Sequence, residues 1–576
     1  MPNNPLAQES VTIPIAGSIV RSRGEASGSA PGPAVPEAGA AVALKERHVV
    51  AREIAGAAGS IQRLVGQALG MCVEQAALGA SLLDLERAAA KQLALVAQRI
   101  IAFIFASACE AAMLEDLRAR GLTRDQIRLR ADVDGYATVH TTFGLVTFPI
   151  FAYRDLTSPG ASVTHYPAHK LLPFHRACRS SPLCLEWEVR LGAEHPFRKA
   201  EELFHFFTRG ASTVEDTTIS RHILVLSSMV DADWLYRKPD DIRQIVQERA
   251  TRDKTTGQPL VYFSSDAHAL RRYVGVTWET GWKMVNGIRL WCEDAATGQI
   301  IHLGGEFTWG DCHVVGARIG ALIEAGILPN AEAAWQRVHA QVVFISDGAD
   351  WLKDYILPHV PDAVVILDPY HVMEWFSVFI KVVFGSGSKR GKEMHAAVYG
   401  VLLAKVRKHG PRVSNPRCGH KKTPRTHRPH AHSRPWLRRG RPRTVSTDQT
   451  CEALVKLLAD LQLTKPKHLD ARADLVERLE KNARRMDYVT HLARGLQVGS
   501  GAMESMHRNG SQRRLKVPGA RWLEETSQAV LTFRMLELSG RWDEFWRQAD
   551  LCQRIGSCFH SESANTPNQE PALTAA

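Results

Sequence analysis

Apolar side chains recur at helical spacing from residue 44 to about 120, and no proline interrupts the stretch; Leu82, Leu83, Leu85, Ala89, Leu93 and Val96 are typical. These helices could serve packing or dimerisation, and the pattern does not choose. Its greasiest part, Ile100 to Ala106, lies among Lys91, Arg99 and Glu110 and is too short to span a bilayer, so it reads as a buried helix. Around Ala137 to Tyr153 the period changes to alternation, rich in β-branched and aromatic residues with Gly144 at a turn position, which predicts a hairpin. Helical spacing returns at Phe197 to Phe207, Gly210 breaks it, and a second helix is expected from Ser212 as cap with Glu215 three residues on. That second helix carries Thr217, Thr218, Ser220, Arg221 and His222. A helix-turn-helix and a plain helical hairpin both satisfy this layout.

From residue 259 strands and helices alternate. Leu260-Val-Tyr-Phe-Ser-Ser is a short apolar run ending at Asp266, and strand-like stretches follow at Gly287 to Cys292 and Gln299 to Phe307. A helix is expected over about 313–325, then the strand Gln341-Val-Val-Phe-Ile-Ser ending on Asp347-Gly348. A helix near Trp351 to Val360 precedes the strand Ala363-Val-Val-Ile-Leu, which ends at Asp368. Three strands, a helix, a fourth strand, a helix and a fifth strand make the ribonuclease H-like order. In it the first and fourth strands lie side by side, so Asp266 and Asp347 should meet although 81 positions separate them. Paired carboxylates are what two-metal phosphoryl chemistry needs, because they hold two hard cations about 3.5–4 Å apart.

A third carboxylate is expected from Val498-Gly-Ser-Gly-Ala-Met-Glu-Ser-Met-His-Arg. Ser500 reads there as a helix cap, Glu504 lies in the first turn, and His507 and Arg508 share its face. Between Asp368 and Glu504 the chain runs for about 130 residues, far more than a connection needs. Val372 to Val406 and Asp448 to Leu496 look helical, which predicts an inserted helical domain.

Composition changes this picture in one respect. The 576 residues carry 72 Lys+Arg against 60 Asp+Glu, a net charge of +12, and the excess is local. Lys405 to Arg443 holds fourteen Lys/Arg and no Asp or Glu, including Arg438, Arg439, Arg441 and Arg443. A block of this kind repels itself unless it meets a polyanion, so it is expected to contact nucleic acid. Arg508, Arg513, Arg514, Lys516 and Arg521 follow Glu504 and are expected to hold phosphates. The ten cysteines lack zinc-ribbon spacing, so no zinc site is expected and the compartment reads as reducing, hence cytoplasmic. No signal peptide or membrane span is read.

The motifs Val343-Phe-Ile-Ser-Asp-Gly-Ala-Asp-Trp-Leu, Ile366-Leu-Asp-Pro-Tyr-His and Val498-Gly-Ser-Gly-Ala-Met-Glu-Ser continue into Arg513-Arg-Leu-Lys-Val-Pro-Gly-Ala-Arg-Trp and close on Gly540-Arg-Trp-Asp-Glu-Phe-Trp. Together they resemble the DDE transposases of the bacterial IS-Kra insertion-sequence family, relatives of the Mutator-like group, over roughly residues 130 to 548. The resemblance implies Asp266, Asp347 and Glu504 as the catalytic, metal-binding acids. It also places an Asp-x-x-His element on Asp368 and His371, read as site-shaping or DNA-contacting, with a capped strand end and a structural His as the alternative. One departure is that the first Asp is usually followed by Gly, and here Ala267 stands there, which makes Asp266 the acid to examine first.

The expected protein is α/β. Its ribonuclease H-like core (256–371 and 498–550) carries a helical insertion (372–497, basic loop 405–444). A helical region (44–135) and a hairpin with helix-turn-helix DNA-binding region (136–255) precede it, and tails at 1–43 and 551–576 are disordered. It would use two Mg²⁺ (or Mn²⁺) ions to cut double-stranded DNA at transposon ends and join the 3′-hydroxyls to target DNA. A homodimer or higher oligomer, cytoplasmic and nucleoid-associated, is expected because two ends must be paired. A catalytically inactive DNA-binding protein of transposon descent and another ribonuclease H-fold nuclease are the alternatives.

Overall fold

The computed structural model describes residues 11–12, 59–129, 136–157, 164–171, 178–274, 279–329, 333–348, 358, 362–409 and 449–565. The tail at 1–43 apart from residues 11–12, nearly all of the helix expected near 351–360, and residues 410–448 of the basic loop lie outside them. The chain forms two compact units, Met1–Val230 with Arg541–Ala576, and Asp231–Gly540. The expected boundaries at 255 and 550 therefore move: 231–255 belongs with the second unit and 541–550 with the first.

In the first unit, helix α1 (59–77) precedes α2 (Leu82–Ala119), a 38-residue helix capped by Ser81. One face of α2 packs Ala102 and Cys109 against the hairpin of β1 (Tyr136–Thr141) and β2 (Gly144–Pro149), with Val139 opposite Val146 and both buried. Ile100 to Ala106 is thus part of a much longer helix and is only partly buried. Three helices follow and pack on one another: α3 (Pro182–Glu194), α4 (Phe197–Phe207) and α5 (Asp216–Leu226). α5 starts three residues later than expected, with Glu215 at the cap position, and the buried Ser212 does not cap it. His222 is buried, with Nδ1 2.5 Å from Glu188 Oε2. The other Glu188 oxygen accepts from Ser180 Oγ at 2.8 Å and Cys184 Sγ at 3.2 Å. The expected tail after 551 is instead a helix, Leu551–Asn565, because Leu551, Ile555 and Phe559 fall on one buried stripe.

The second unit is built on a five-stranded sheet. Its strands are β3 (Leu260–Val274), β4 (Glu279–Glu293), β5 (Ile300–Trp309), β6 (Gln341–Ser346) and β7 (Val364–Leu367), in the order β7-β6-β3-β4-β5. β3, β4 and β5 are antiparallel neighbours, while β6 runs parallel to both β3 and β7. Helix α6 (Cys312–Glu324), capped by Asp311, joins β5 to the parallel half. The first strand does not stop at Asp266. It continues to Val274, and β4 opens at Glu279 rather than Gly287. Arg272 and Lys283 on this polar extension both pair with Glu524, the latter at 2.7 Å, which supplies partners that its own composition lacks.

The insertion is helical on both sides of the undescribed loop: α7 (Pro369–Phe384), α8 (Lys389–His409), α9 (Gln449–Ala459), α10 (Pro466–Lys481) and α11 (Tyr488–Arg494). Rather than forming a core of its own, it shares one with the sheet: Phe376, Val398, Leu454 and Leu479 join Tyr262, Trp291, Val343 and Ile366. The chain then returns across the sheet as α12 (Gly501–His507) on β4 and α13 (Glu524–Leu538) on β5.

Candidate active site

Three aspartates form a row set by strand register. Ser264 faces Ile345, and Ile345 faces Ile366. Two residues further along stand Asp266, within β3, and Asp347 and Asp368, each one residue past the end of β6 and β7, so the same step off the last shared register places an acid on three neighbouring segments. β6 leaves β3 after Ser264, and the freed edge of β3 is next met by Trp522, which accepts from Tyr273 N at 3.0 Å and donates to Arg271 O at 3.3 Å. The acids sit where that edge opens. Gly348 follows Asp347 with φ +90°, a conformation that favours glycine. No such turn occurs after Asp266. Ala267 pairs with Asn286 inside the antiparallel ladder, and its amide donates to Asp266 Oδ1 at 2.8 Å, so the absence of Gly is accommodated by the strand running on.

Glu504 reaches this edge on α12, and three fastenings hold that helix. Gly287, paired with Asp266, lies beneath it; a Cβ there would overlap Met503 Cε and come within 3.0 Å of Met506 Cε and Phe307 Cε1. Arg289 Nη1, two residues along the same face, donates to the Ala502 carbonyl, and burial lowers its pKa to about 10. Asp368 holds the helix start: Oδ2 accepts from Ser500 N at 2.7 Å and from Ser500 Oγ, while Oδ1 accepts from Tyr370 N at 2.7 Å and caps α7. Ser500 therefore stands at the cap position without capping, because its hydroxyl donates to Asp368 instead. Tyr488 Oη donates to Leu367 O at 2.8 Å and ties the preceding helix to the same strand end.

The electrostatics join these groups. Burial raises the Asp266 carboxyl above the usual aspartate range; Asp347 and Asp368 push it the same way, while His371 and the Ala267 amide pull it back. Glu504 is raised by partial burial and by Asp368 and Asp266, against His371 and Arg508. Burial alone would lower His371, but Asp266, Asp368, Asp347 and Glu374 outweigh it and raise its pKa. His371 thus stands among the acids, with Nδ1 3.3 Å from Glu374 Oε2. On the other side, His507 is buried and lowered to about 4, and His268 to about 3. Neutral His507 donates from Nε2 to the Asp266 carbonyl at 3.1 Å, so its Nδ1 accepts from His268 Nδ1 at 2.9 Å.

The hard carboxylate oxygens of Asp266, Asp347 and Glu504, and the way burial destabilises Asp266 in its charged form, suit a hard divalent cation. Among the described residues, no three His, Cys, Asp or Glu side chains stand close enough together to form a finished ligand cage.

The basic residues after Glu504 divide. Arg508, Arg513, Lys516 and Arg521 are exposed, and the Arg521 guanidinium lies 5.9 Å from the Tyr273 ring. Arg514 is not available to a phosphate: it is 2% exposed and stacks 4.7 Å from the Trp522 ring centroid. Arg438, Arg439, Arg441 and Arg443 lie outside the described residues. Arg289, Ser500 and the His268–His507 pair escaped sequence reasoning as site residues. Ser500 was read only as a cap and His507 only as sharing the Glu504 face, while Arg289, a charge in the middle of an apolar strand, carried a signal of its own.

No protein-family model matches the chain, and no curated protein does. Among solved structures it is similar to the Drosophila P element transposase strand transfer complex, with a TM-score of 0.30 and 11% identity, covering 63% of this chain and 93% of that one.

Proposed function

We propose that the chain is a DDE transposase whose ribonuclease H-like core cuts double-stranded DNA at the ends of its element and transfers the 3′-hydroxyl ends to target DNA. What supports this reading is that Asp266 and Asp347 each lie two residues past the last paired rung of adjacent parallel strands, and that Asp266 is electrostatically coupled both to Asp347 and to Glu504, whose helix is anchored near the same strand ends. The sheet order β7-β6-β3-β4-β5 supports it, since it is the arrangement in which the first and fourth strands of such a core meet.

Asp266, Asp347 and Glu504 would hold two Mg²⁺ or Mn²⁺ ions, which when bound polarise the scissile phosphate and make water or a 3′-hydroxyl a competent nucleophile. This chain's own residues then do the positioning. Asp368 keeps the Glu504 helix at the strand ends through Ser500, His507 holds the Asp266 backbone, and Arg508, Arg513 and Lys516 offer exposed cations to the backbone phosphates. The basic stretch 405–444 would add counter-charge for DNA, so deleting 410–444 should weaken binding and flatten its salt dependence.

The unfinished ligand cage favours one second reading, a DNA-binding protein without catalysis. A labelled duplex carrying the element's end, incubated with Mg²⁺ or with chelator, separates the two. Metal-dependent cleavage that disappears in Asp347→Asn and Glu504→Gln with binding retained upholds the transposase. Binding without cleavage in either metal selects the second reading, and strand transfer of paired ends distinguishes a transposase from another nuclease of the same fold.

A further inference from the structure

Helix α2 is apolar on two opposite faces. Ala102, Cys109 and Met113 are buried against the rest of the first unit. On the far side Leu93 is 64% exposed, Ile104 52% and Ile100 38%. A helix with one apolar face too many must bury the second against something else. The spacing of that second face is regular. Leu83, Ala90, Ala97, Ile104 and Ala111 recur every seven residues, and so do Leu93, Ile100 and Ser107, offset by three, with Glu86 beginning the second series. This is the a/d pattern of a helix–helix seam, whose alanines permit close approach. It runs about 42 Å from Leu83 to Ala111 at the α-helical rise.

We propose that this face pairs with the same face of a second copy of the chain, the two α2 helices running antiparallel. Charge selects the orientation. Arg87 flanks one end of the seam and Glu115 the other. Antiparallel pairing about a twofold axis near residue 102 brings Arg87 of each copy beside Glu115 of the other. The same register sets Ile100 against Ile104 at the centre and Leu93 against Ala111 further out. Parallel pairing would instead put each like charge beside its own copy. The seam is independent of the acids, so its failure leaves the catalytic reading untouched.

The full-length protein, followed by sedimentation equilibrium, provides the test. The intact chain is expected to be a dimer, and Ile100→Glu with Ile104→Glu to raise its dissociation constant more than about a hundredfold with unchanged circular dichroism, since both side chains are partly exposed. Arg87→Glu or Glu115→Arg alone is expected to weaken the dimer about tenfold, counting two symmetric pairs, and the two together to restore it. Arg87 and Glu115 lie about 42 Å apart on one helix, so such rescue can only come from a second copy. A monomer, a dimer indifferent to the isoleucine changes, or a double charge reversal that does not rescue would each overturn the proposal. So would a monomer that floats with phospholipid vesicles, since α2 is also long and apolar enough to cross a membrane.

Discussion

Asp368 holds Ser500 from 132 residues away, accepting both its amide at 2.7 Å and its hydroxyl on a single carboxylate oxygen, while the other oxygen caps the helix that Asp368 itself begins. Asp368 is fully buried, and these contacts fix the start of the helix that carries Glu504.

Asp368→Asn should therefore separate from Asp347→Asn. An asparagine has one acceptor oxygen, so either Ser500 or Tyr370 loses a buried partner, at a cost of about 1–3 kcal/mol. Cleavage should fall roughly 10–100-fold, as for other residues that orient a ligand from behind, with DNA binding kept. Chemical denaturation beside a cleavage assay measures both. Loss of cleavage with no loss of stability would instead make Asp368 a direct participant.

The raised carboxyls give the metal a thermodynamic signature. Asp266 and Glu504 both have folded-state pKa values above their ordinary ones. The metal-free folded protein thus binds more protons than the unfolded chain between those values, and its stability falls as pH rises through that window. Mg²⁺ should return stability above the window and do little below it, with about 2.7 kcal/mol gained at a hundred times its dissociation constant. Thermal unfolding with and without MgCl₂ at acid and neutral pH tests this. Asp347→Asn should abolish the metal effect and bring the Asp266 carboxyl back toward its ordinary range. A metal shift that is the same at both pH values would count against these acids as the ligands.

How much of this was legible in the chain follows the physics of each element. Asp266 and Asp347 could be brought together because short apolar strands ending on an acid leave few arrangements in a mixed sheet. The continuation of β3 past Asp266 was not legible, since His268-Ala-Leu-Arg-Arg-Tyr has no clean alternation and depends on Glu524, more than 250 residues away, and on Trp522 along its edge. The helix after Leu551 was missed because three apolar residues at 551, 555 and 559 in a short polar tail are a weak stripe until a partner surface exists. The burial of His222 was not legible either, because only the fold supplies the buried Glu188 that it meets.

Arg514 shows the same limit and gives a test. It looked like one of a run of phosphate-binding cations, yet it is buried on the Trp522 ring, whose Nε1 donates to Leu515 O at 3.0 Å. Arg514→Ala should destabilise the fold by about 1–3 kcal/mol through lost packing and cation–π contact, with the salt slope of DNA binding unchanged in the folded fraction. Arg513→Ala and Lys516→Ala should do the opposite. Stability should hold, and each should reduce the slope of log affinity against log salt by about 0.9 if it neutralises one phosphate. Binding titrations across a salt series distinguish them, and an Arg514 variant with a reduced slope would return that residue to the DNA surface.

Gly287 offers the sharpest check on how Glu504 is placed. It pairs with Asp266 across the ladder and lies under Met503 and Met506 of α12, so both acids depend on one missing side chain. Valine is a better strand former than glycine, so local propensity alone would make Gly287→Val stabilising. The overlap with Met503 and the tight approach to Phe307 predict the reverse: about 1–3 kcal/mol of lost stability from overpacking, and, insofar as α12 rather than the Met503 side chain yields, a cleavage loss larger than the unfolded fraction accounts for. Cleavage measured per folded molecule, with the folded fraction taken from denaturation, reads that excess directly. A valine variant that is more stable and fully active would mean that α12 does not rest on β4 closely enough to set the Glu504 position, and the fastening would then fall to Arg289 and Asp368 alone.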